Sequence, residues 1–284
     1  MNTVNQTFNW SRFTAALRKE IVENKRALIF TLVCIYGFLT MIMIFGNLVT
    51  TLGGEEGMIE AVDVMKMPQV FVATILGFVI IISASMSFKN LTTKAGRTNL
   101  FTSPSSTLEK FIINLLIYVV GIFVAFFACA QLADLTRIAA LWFFRGESLI
   151  VPGPINYLTI FNDFAARYEE MGNFGNNMGW AFFASMVSGA GMYFMGSVLW
   201  PRLSLLKTFA GLYALEFIVF IIAAPLFFLF SDMETFGQWV FEVMIGGQFT
   251  KSMIIANIVI AIVTFGLAWY LFKHKDVVSL KWWK

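Results

Sequence analysis

Few side chains in this sequence are equipped for chemistry, and their positions limit what that chemistry can be. His274 is the single histidine of the chain. It stands just beyond the last long apolar stretch, so no histidine-assisted nucleophile and no histidine metal cluster can be assembled among the apolar segments. No G-x-x-x-x-G-K-[ST] phosphate loop occurs, which removes the standard route to ATP hydrolysis by this chain. No catalytic residue, metal ligand set or cofactor of its own is expected. Glu216 is the one charge inside a long apolar run. An ionised carboxylate at that depth costs roughly 2.5 to 3.5 kcal/mol on insertion scales. It needs a proton, a hydroxyl partner on a neighbouring helix or a hydrated cavity, and it is a pathway candidate for handling a proton or polar cargo, alongside a plain structural hydrogen bond. Pro225, on the same run, lacks an N–H and kinks the helix that carries it. Cys34 and Cys129 differ in expected depth by roughly 15 Å at ~1.5 Å per residue, too far for a disulfide.

The elements that must position these groups follow from composition. The chain of 284 residues is 58% hydrophobic and only 13% charged, with a mean hydropathy of +0.76, a balance that excludes an ordinary water-soluble domain. Crossing a hydrocarbon core of roughly 30 Å takes about 20 apolar residues as a helix. Six stretches qualify: 27–48, 68–88, 111–133, 180–199, 208–230 and 252–272. Unclosed strands leave backbone groups unsatisfied in lipid, so the expected fold class is all-α, one polytopic membrane domain over 1–284. Fifteen of the 20 basic residues fall on one face of a six-span arrangement, in the N-terminal segment, the loop 89–110, the turn with Arg202 and Lys207, and the tail from Lys273. Because basic loops are retained inside, both termini are expected in the cytoplasm. The net charge of +3 is explained by this topology, and no nucleic-acid partner is expected.

Ahead of the first span, Trp10, Phe13, Leu17 and Ile21 recur at three- and four-residue spacing, as in an amphipathic helix lying at a membrane interface over 8–25. Its expected partner is membrane lipid, as a simple anchor or as an elbow passing movement into the first span. On the opposite face, Phe236, Trp239, Val240, Phe241, Val243 and Met244 read as a helix dipping into the interface or a surface helix with aromatic anchors. Trp282 and Trp283 beside Lys281 and Lys284 read as interface anchors.

The loop 89–110 is the most informative stretch. Ser103 before Pro104 marks a chain turn, since the residue before proline is pushed out of the α region. Ser106 or Thr107 then caps a helix running through Glu109 and Lys110 into the third span, with Glu109 favourably near its N-terminus. Taken alone, these residues also fit an ordinary basic inside loop. The pattern Lys94-x-Gly96-Arg97-x-x-x-Phe101-Thr102-Ser103-Pro104-Ser105-Ser106-Thr107-x-Glu109-Lys110-Phe111 resembles the loop between the second and third spans of ATP-binding-cassette type-2 permeases. Serine stands at Ser103 and Ser105 where that family commonly has leucine and alanine.

The resemblance implies a permease subunit of an exporter in the bacterial cytoplasmic (inner) membrane. It implies a pathway formed with a second permease copy, identical or related, and driven by two copies of a separate ATPase that binds ATP and magnesium. The stretch around Asn90 to Phe101 is then the coupling helix, and the coupling residues carried over are Asn90, Leu91, Lys94, Gly96, Arg97, Leu100, Phe101, Pro104, Glu109 and Lys110. Two other readings compete: a proton-coupled secondary transporter or channel using Glu216, and a membrane assembly factor that transports nothing. No substrate follows from the sequence.

Overall fold

The computed structural model describes residues 8–53, 61–143, 153–155, 178–230 and 248–275. Within them every regular element is helical: α1 (Trp10–Gly53), α2 (Ala61–Met86), a 3-10 turn (Lys89–Thr92), α3 (Lys94–Thr102), α4 (Thr107–Leu115), a π-helical turn (Leu116–Gly121), α5 (Ile122–Phe143), α6 (Met178–Leu199), α7 (Ser204–Phe230) and α8 (Gln248–Lys273). Among the described residues, five helical stretches are long and apolar enough to cross a membrane: Trp10–Leu48, Thr107–Phe143, Gly179–Leu199, Ser204–Ile222 and Thr250–Lys273. Phe71–Met86, within the expected second span, is apolar but falls short of that length. This is the build of a multi-pass membrane protein. The expected outer interface element at 236–244 and the Trp282–Trp283 anchor lie outside the described residues.

Two boundaries differ from the sequence expectation. The amphipathic entry stretch and the first span form one helix, because nothing between Trp10 and Gly53 breaks it. Asn9 caps its start, the side-chain oxygen accepting from the N–H of Ser11 at 3.1 Å and of Arg12 at 3.4 Å. The third apolar stretch also runs past Ala133 to Phe143, carrying Asp134 and Arg137 inside the helix.

The chain divides into two compact units. The first holds Met1–Ile80 and Leu116–Ile160, and its core is α1 laid against α5. Small residues make the close approach: Ala130 and Ala133 of α5 are fully buried, as are Leu39 and Met43 of α1. Tyr36 Oη and Thr136 Oγ1 share a hydrogen bond of 2.9 Å across the seam, and the Cys129 thiol points to the Leu32 carbonyl at 3.8 Å. Among lipid-immersed helices, tight van der Waals contact and such polar links drive association, because burial of apolar surface brings no gain there. Cys34 and Cys129 are both free thiols.

The second unit holds Ile81–Leu115 and Phe161–Lys284. Its main contact is α6 on α8, with α7 against α6 and α4 against α8. Here too small residues set the geometry. Ser188 of α6 donates to Asn257 Oδ1 of α8 at 2.6 Å. Gly191 faces Thr264 and the ring of Phe265, and Gly196 faces Thr208 of α7, so closely that a Cβ at either glycine would overlap the threonine side chain. The turn from α6 into α7 closes with Trp200 N–H donating to the Gly196 carbonyl at 2.8 Å, and Leu203 takes a left-handed φ of 57°.

The glycine contacts make a test. Gly196→Ala is expected to lower stability by about 1 to 3 kcal/mol through overpacking, read as a drop in thermal midpoint in detergent. Adding Thr208→Ala removes the hydroxyl and methyl that the new Cβ would meet and should restore part of the loss, whereas purely additive losses would place the contact elsewhere.

Candidate functional site

At one end of the second unit the chain stops crossing and folds on itself, and most of the residues singled out in the loop 89–110 gather there. The platform is built on phenylalanine. Phe88, just past α2, lies with its ring centroid 4.8 Å from Phe272 of α8 and 5.2 Å from Phe194 of α6. Phe111 of α4 meets Phe194 at 5.4 Å and Trp269 of α8 at 5.3 Å. Phe88, Phe194 and Phe272 are at most 1% exposed. Tilted and edge-on contacts of this kind add about 0.5 to 1.5 kcal/mol per pair beyond burial.

On this base the loop is ordered by local capping. The Thr93 side chain accepts from the Gly96 N–H at 3.1 Å and starts α3. Ser103 is extended at φ −64°, ψ 143°, which ends α3 before Pro104. Ser106 and Glu109 then form a capping box: the Ser106 N–H donates to Glu109 Oε2 at 2.8 Å and the Glu109 N–H to Ser106 Oγ at 3.2 Å. Lys110 reaches back to the Ser103 carbonyl at 3.1 Å. Glu109 and Lys110 are therefore buried parts of the turn, at 0% and 8% exposure.

The short helix α3 has two faces. Phe101 turns inward, its ring 6.4 Å from Phe272, and Gly96, Arg97 and Leu100 are half-buried with it, while Leu91 of the preceding turn is fully buried. Lys94, Ala95, Thr98, Asn99 and Thr102 form the exposed face. Of the ten coupling residues named from the sequence, Asn90, Lys94 and Pro104 are exposed and the other seven face the protein. Ala95, Thr98, Asn99 and Thr102 were not singled out, although their spacing of three and four from one another is the signature of a single helix face.

Arg97 and Lys275 lie near enough for their charges to act on each other, each held by a different backbone carbonyl. Arg97 Nη1 donates to the Leu91 carbonyl at 3.2 Å, and the Lys275 ammonium donates to the Val198 carbonyl at the end of α6. Burial, and then the nearby Arg97 charge, push the Lys275 pKa down from its ordinary 10.5 to about 8.

Two further sites lie along the helices. In the first unit, Asp134 and Arg137 of α5 are a completely buried ion pair, Nε to Oδ1 at 2.8 Å. Arg137 Nη2 also donates to the Gly153 carbonyl at 3.0 Å, and the Ile155 N–H to Asp134 Oδ2 at 2.7 Å. The pair thus clamps residues 153–155 onto the end of α5. In the second unit, a cavity of about 880 Å³ runs between α6 and α8, lined by apolar side chains such as Trp180, Phe183, Val187, Ile258 and Phe265. It offers shape and no reactive group. Glu216 and Pro225 sit on α7, both exposed, and Glu216 bonds no other described residue. The most apolar stretch of α7 is only 6% buried within the chain. Compared with known proteins, the chain matches no family model, no curated protein and no solved structure.

Two outcomes follow from the charged sites. Arg137→Met leaves Asp134 buried without its counter-charge and should cost about 3 to 5 kcal/mol, seen as a large fall in thermal midpoint; a fall no larger than that of an exposed control, Arg18→Met, would remove the clamp. For Lys275, the unfolded chain keeps its proton up to about 10.4 while the folded chain releases it near 8. Between those values the unfolded state binds more protons, so this residue makes stability rise with pH across that window. A Lys275→Met variant should lack that share of the rise in midpoint between pH 8 and 10.

Proposed function

We propose that this chain is the membrane-spanning permease subunit of an ATP-binding-cassette exporter of the bacterial cytoplasmic membrane, with six spans, both termini inside, and the work of ATP hydrolysis done by a separate ATPase. The observation that carries the reading is the pair of faces on α3. A rigid, exposed, polar helix face is fixed through Phe101 to Phe272, and through Phe272 to the ring cluster joining α4, α6 and α8. A push on that face reaches three membrane helices without passing through a flexible link, which is what a coupling helix requires. In this reading Lys94, Thr98, Asn99 and Thr102 touch the ATPase, whereas Leu91, Arg97, Leu100, Phe101, Glu109 and Lys110 transmit.

A second copy of the permease fits the state of α7. Leu206, Phe209, Tyr213, Phe217 and Phe220 are each more than half exposed, and Glu216 lies among them. A partner helix in place of lipid offers the carboxyl group a hydrogen-bonding neighbour or a hydrated seam. The proton-coupled carrier reading also uses Glu216, but it assigns no task to the exposed face of α3.

The test is purification of the tagged chain from its native host in mild detergent, with co-purifying subunits identified by mass spectrometry and vanadate-sensitive ATP hydrolysis measured. A P-loop subunit is expected in stoichiometric amount. Asn99→Arg and Thr98→Glu should cut its recovery about tenfold or more while leaving the thermal midpoint of the permease in place, because both side chains project away from the core. Purification alone with no ATPase activity, or recovery indifferent to both substitutions, would sink the reading. Proton-driven transport lost in Glu216→Gln would then put the carrier in its place.

A further inference from the structure

The pairing of Arg97 with Lys275 is not explained by a docking helix, because both cations face inward. Phe101 stacks against Phe272. Arg97 lies one turn before Phe101 on α3, and Lys275 lies three residues beyond Phe272, so the same contact that docks α3 brings the two charges together. Each is partly held by a backbone carbonyl, of Leu91 and of Val198. Neither forms an ion pair with any described residue, and Arg97 Nε is buried with no hydrogen-bond partner among them. Like charges brought together under partial burial are costly, and the depressed Lys275 pKa reports that cost. A bound anion would offset it, with guanidinium N–H groups suited to two oxygens at once and the ammonium supplying a point charge.

The level of the pair decides which anion. Val198 stands next to the last residue of α6, and Lys275 lies two residues past the end of α8, so both sit where apolar helices end. At that depth the abundant anion is a headgroup phosphate, and basic pockets between membrane helices at this side are the recurrent form of such sites. Lys89, Lys94 and Lys273, exposed on the adjoining elements, add to the same positive field, and the stretch 89–102 contains no acidic residue. We propose that Arg97 and Lys275 form a binding site for the phosphate of an anionic phospholipid, which completes the underside of α3. The inference rests on the membrane location of the helices and on the inside placement of this end proposed above, and does not depend on an ATPase partner.

The experiment uses the full chain, delipidated in detergent and titrated with dioctanoyl phosphatidylglycerol, with dioctanoyl phosphatidylcholine as control. Bound lipid is counted by native mass spectrometry and stability followed by thermal midpoint. Phosphatidylglycerol is expected to bind and raise the midpoint, and phosphatidylcholine to do neither. Each basic residue at a membrane surface contributes about fivefold in affinity, so Arg97→Gln or Lys275→Gln should weaken binding roughly fivefold, and the double variant roughly 30-fold. Equal binding of the two lipids to the unaltered chain overturns the proposal whether or not the variants fold. So does full competition by millimolar inorganic phosphate, which would make the ligand a soluble phosphate. Asp276 follows Lys275 directly; phosphatidylglycerol binding that emerges only in Asp276→Asn would show the chain's own carboxylate filling the site and would equally overturn it.

Discussion

The contact between Phe88, Phe111, Phe194 and Phe272 governs the second unit because of what converges on it. These rings come from just past α2, the start of α4, the last turns of α6 and the last turn of α8, so one apolar cluster fixes where the ends of four helices lie. The loop between Phe88 and Phe111 is closed by the packing of its own two boundary residues, 6.3 Å apart as ring centroids. With its ends pinned, local capping suffices to order the middle. Thr93, Ser106 and Glu109 satisfy the backbone N–H groups at the starts of α3 and α4, and Lys110 takes up the Ser103 carbonyl. Truncating one of these rings therefore reaches beyond its own burial, since the docking of α3 through Phe101 depends on Phe272 staying where Phe88 holds it.

Away from that cluster a different constraint operates. Where lipid surrounds the helices, apolar surface drives nothing together, and contact has to come from shape and from polar groups with no better partner. The helix seams obey this: alanines and glycines at the points of closest approach, and single polar links such as Tyr36 to Thr136 and Ser188 to Asn257. The Asp134–Arg137 pair is the extreme case. Its two charges are completely buried, and Arg137 Nη2 and Asp134 Oδ2 are taken up by backbone groups of Gly153 and Ile155. Such a pair is poor evidence of net stability, because desolvation consumes most of the attraction. It fixes position instead, because any other placement of residues 153–155 strips these buried charged groups of their backbone hydrogen bonds.

The sequence made some of this legible and hid the rest for identifiable reasons. Helix content and approximate spans follow from runs of about 20 apolar residues, because the thickness of the apolar layer sets that length independently of tertiary context. The stop at Ser103-Pro104 and the Ser106–Glu109 cap were legible because both are decided within four residues. The continuity of α1 was not: an amphipathic stretch and an apolar one have different periodicities, and nothing in either says that the helix joins them unbroken. The burial of Arg137 was hidden for a related reason. A charge past an apolar run reads as the start of a loop unless its counter-charge is known to sit one turn before it on the same face, as Asp134 does. The orientation of α3 was legible only in part. Its nine residues hold Phe101 and Leu100 as the only large apolar side chains, enough to choose an inward face, yet Arg97 shares that face and would ordinarily be placed in water. What draws it in is the Leu91 carbonyl, six positions back, a partner that no periodicity announces.

Glu216 shows how depth and exposure combine. Sequence alone placed a carboxyl group about 12 Å along an apolar helix at ~1.5 Å per residue, and the expected remedies were protonation, a hydroxyl on a neighbouring helix, or water. Within the described residues the neighbouring helix is absent: α7 touches α6 near its own start, at Thr208 and Gly211, through Gly196 and Trp200, and beyond that turn its surface is open. The first remedy keeps the group neutral in lipid at a cost that a leucine would not incur. The other two need a surface that the described residues do not supply. In the proposed pairing with a second permease copy, the acid among these large apolar side chains is the group most able to fix the register of the meeting, since its carboxyl group can form directional hydrogen bonds.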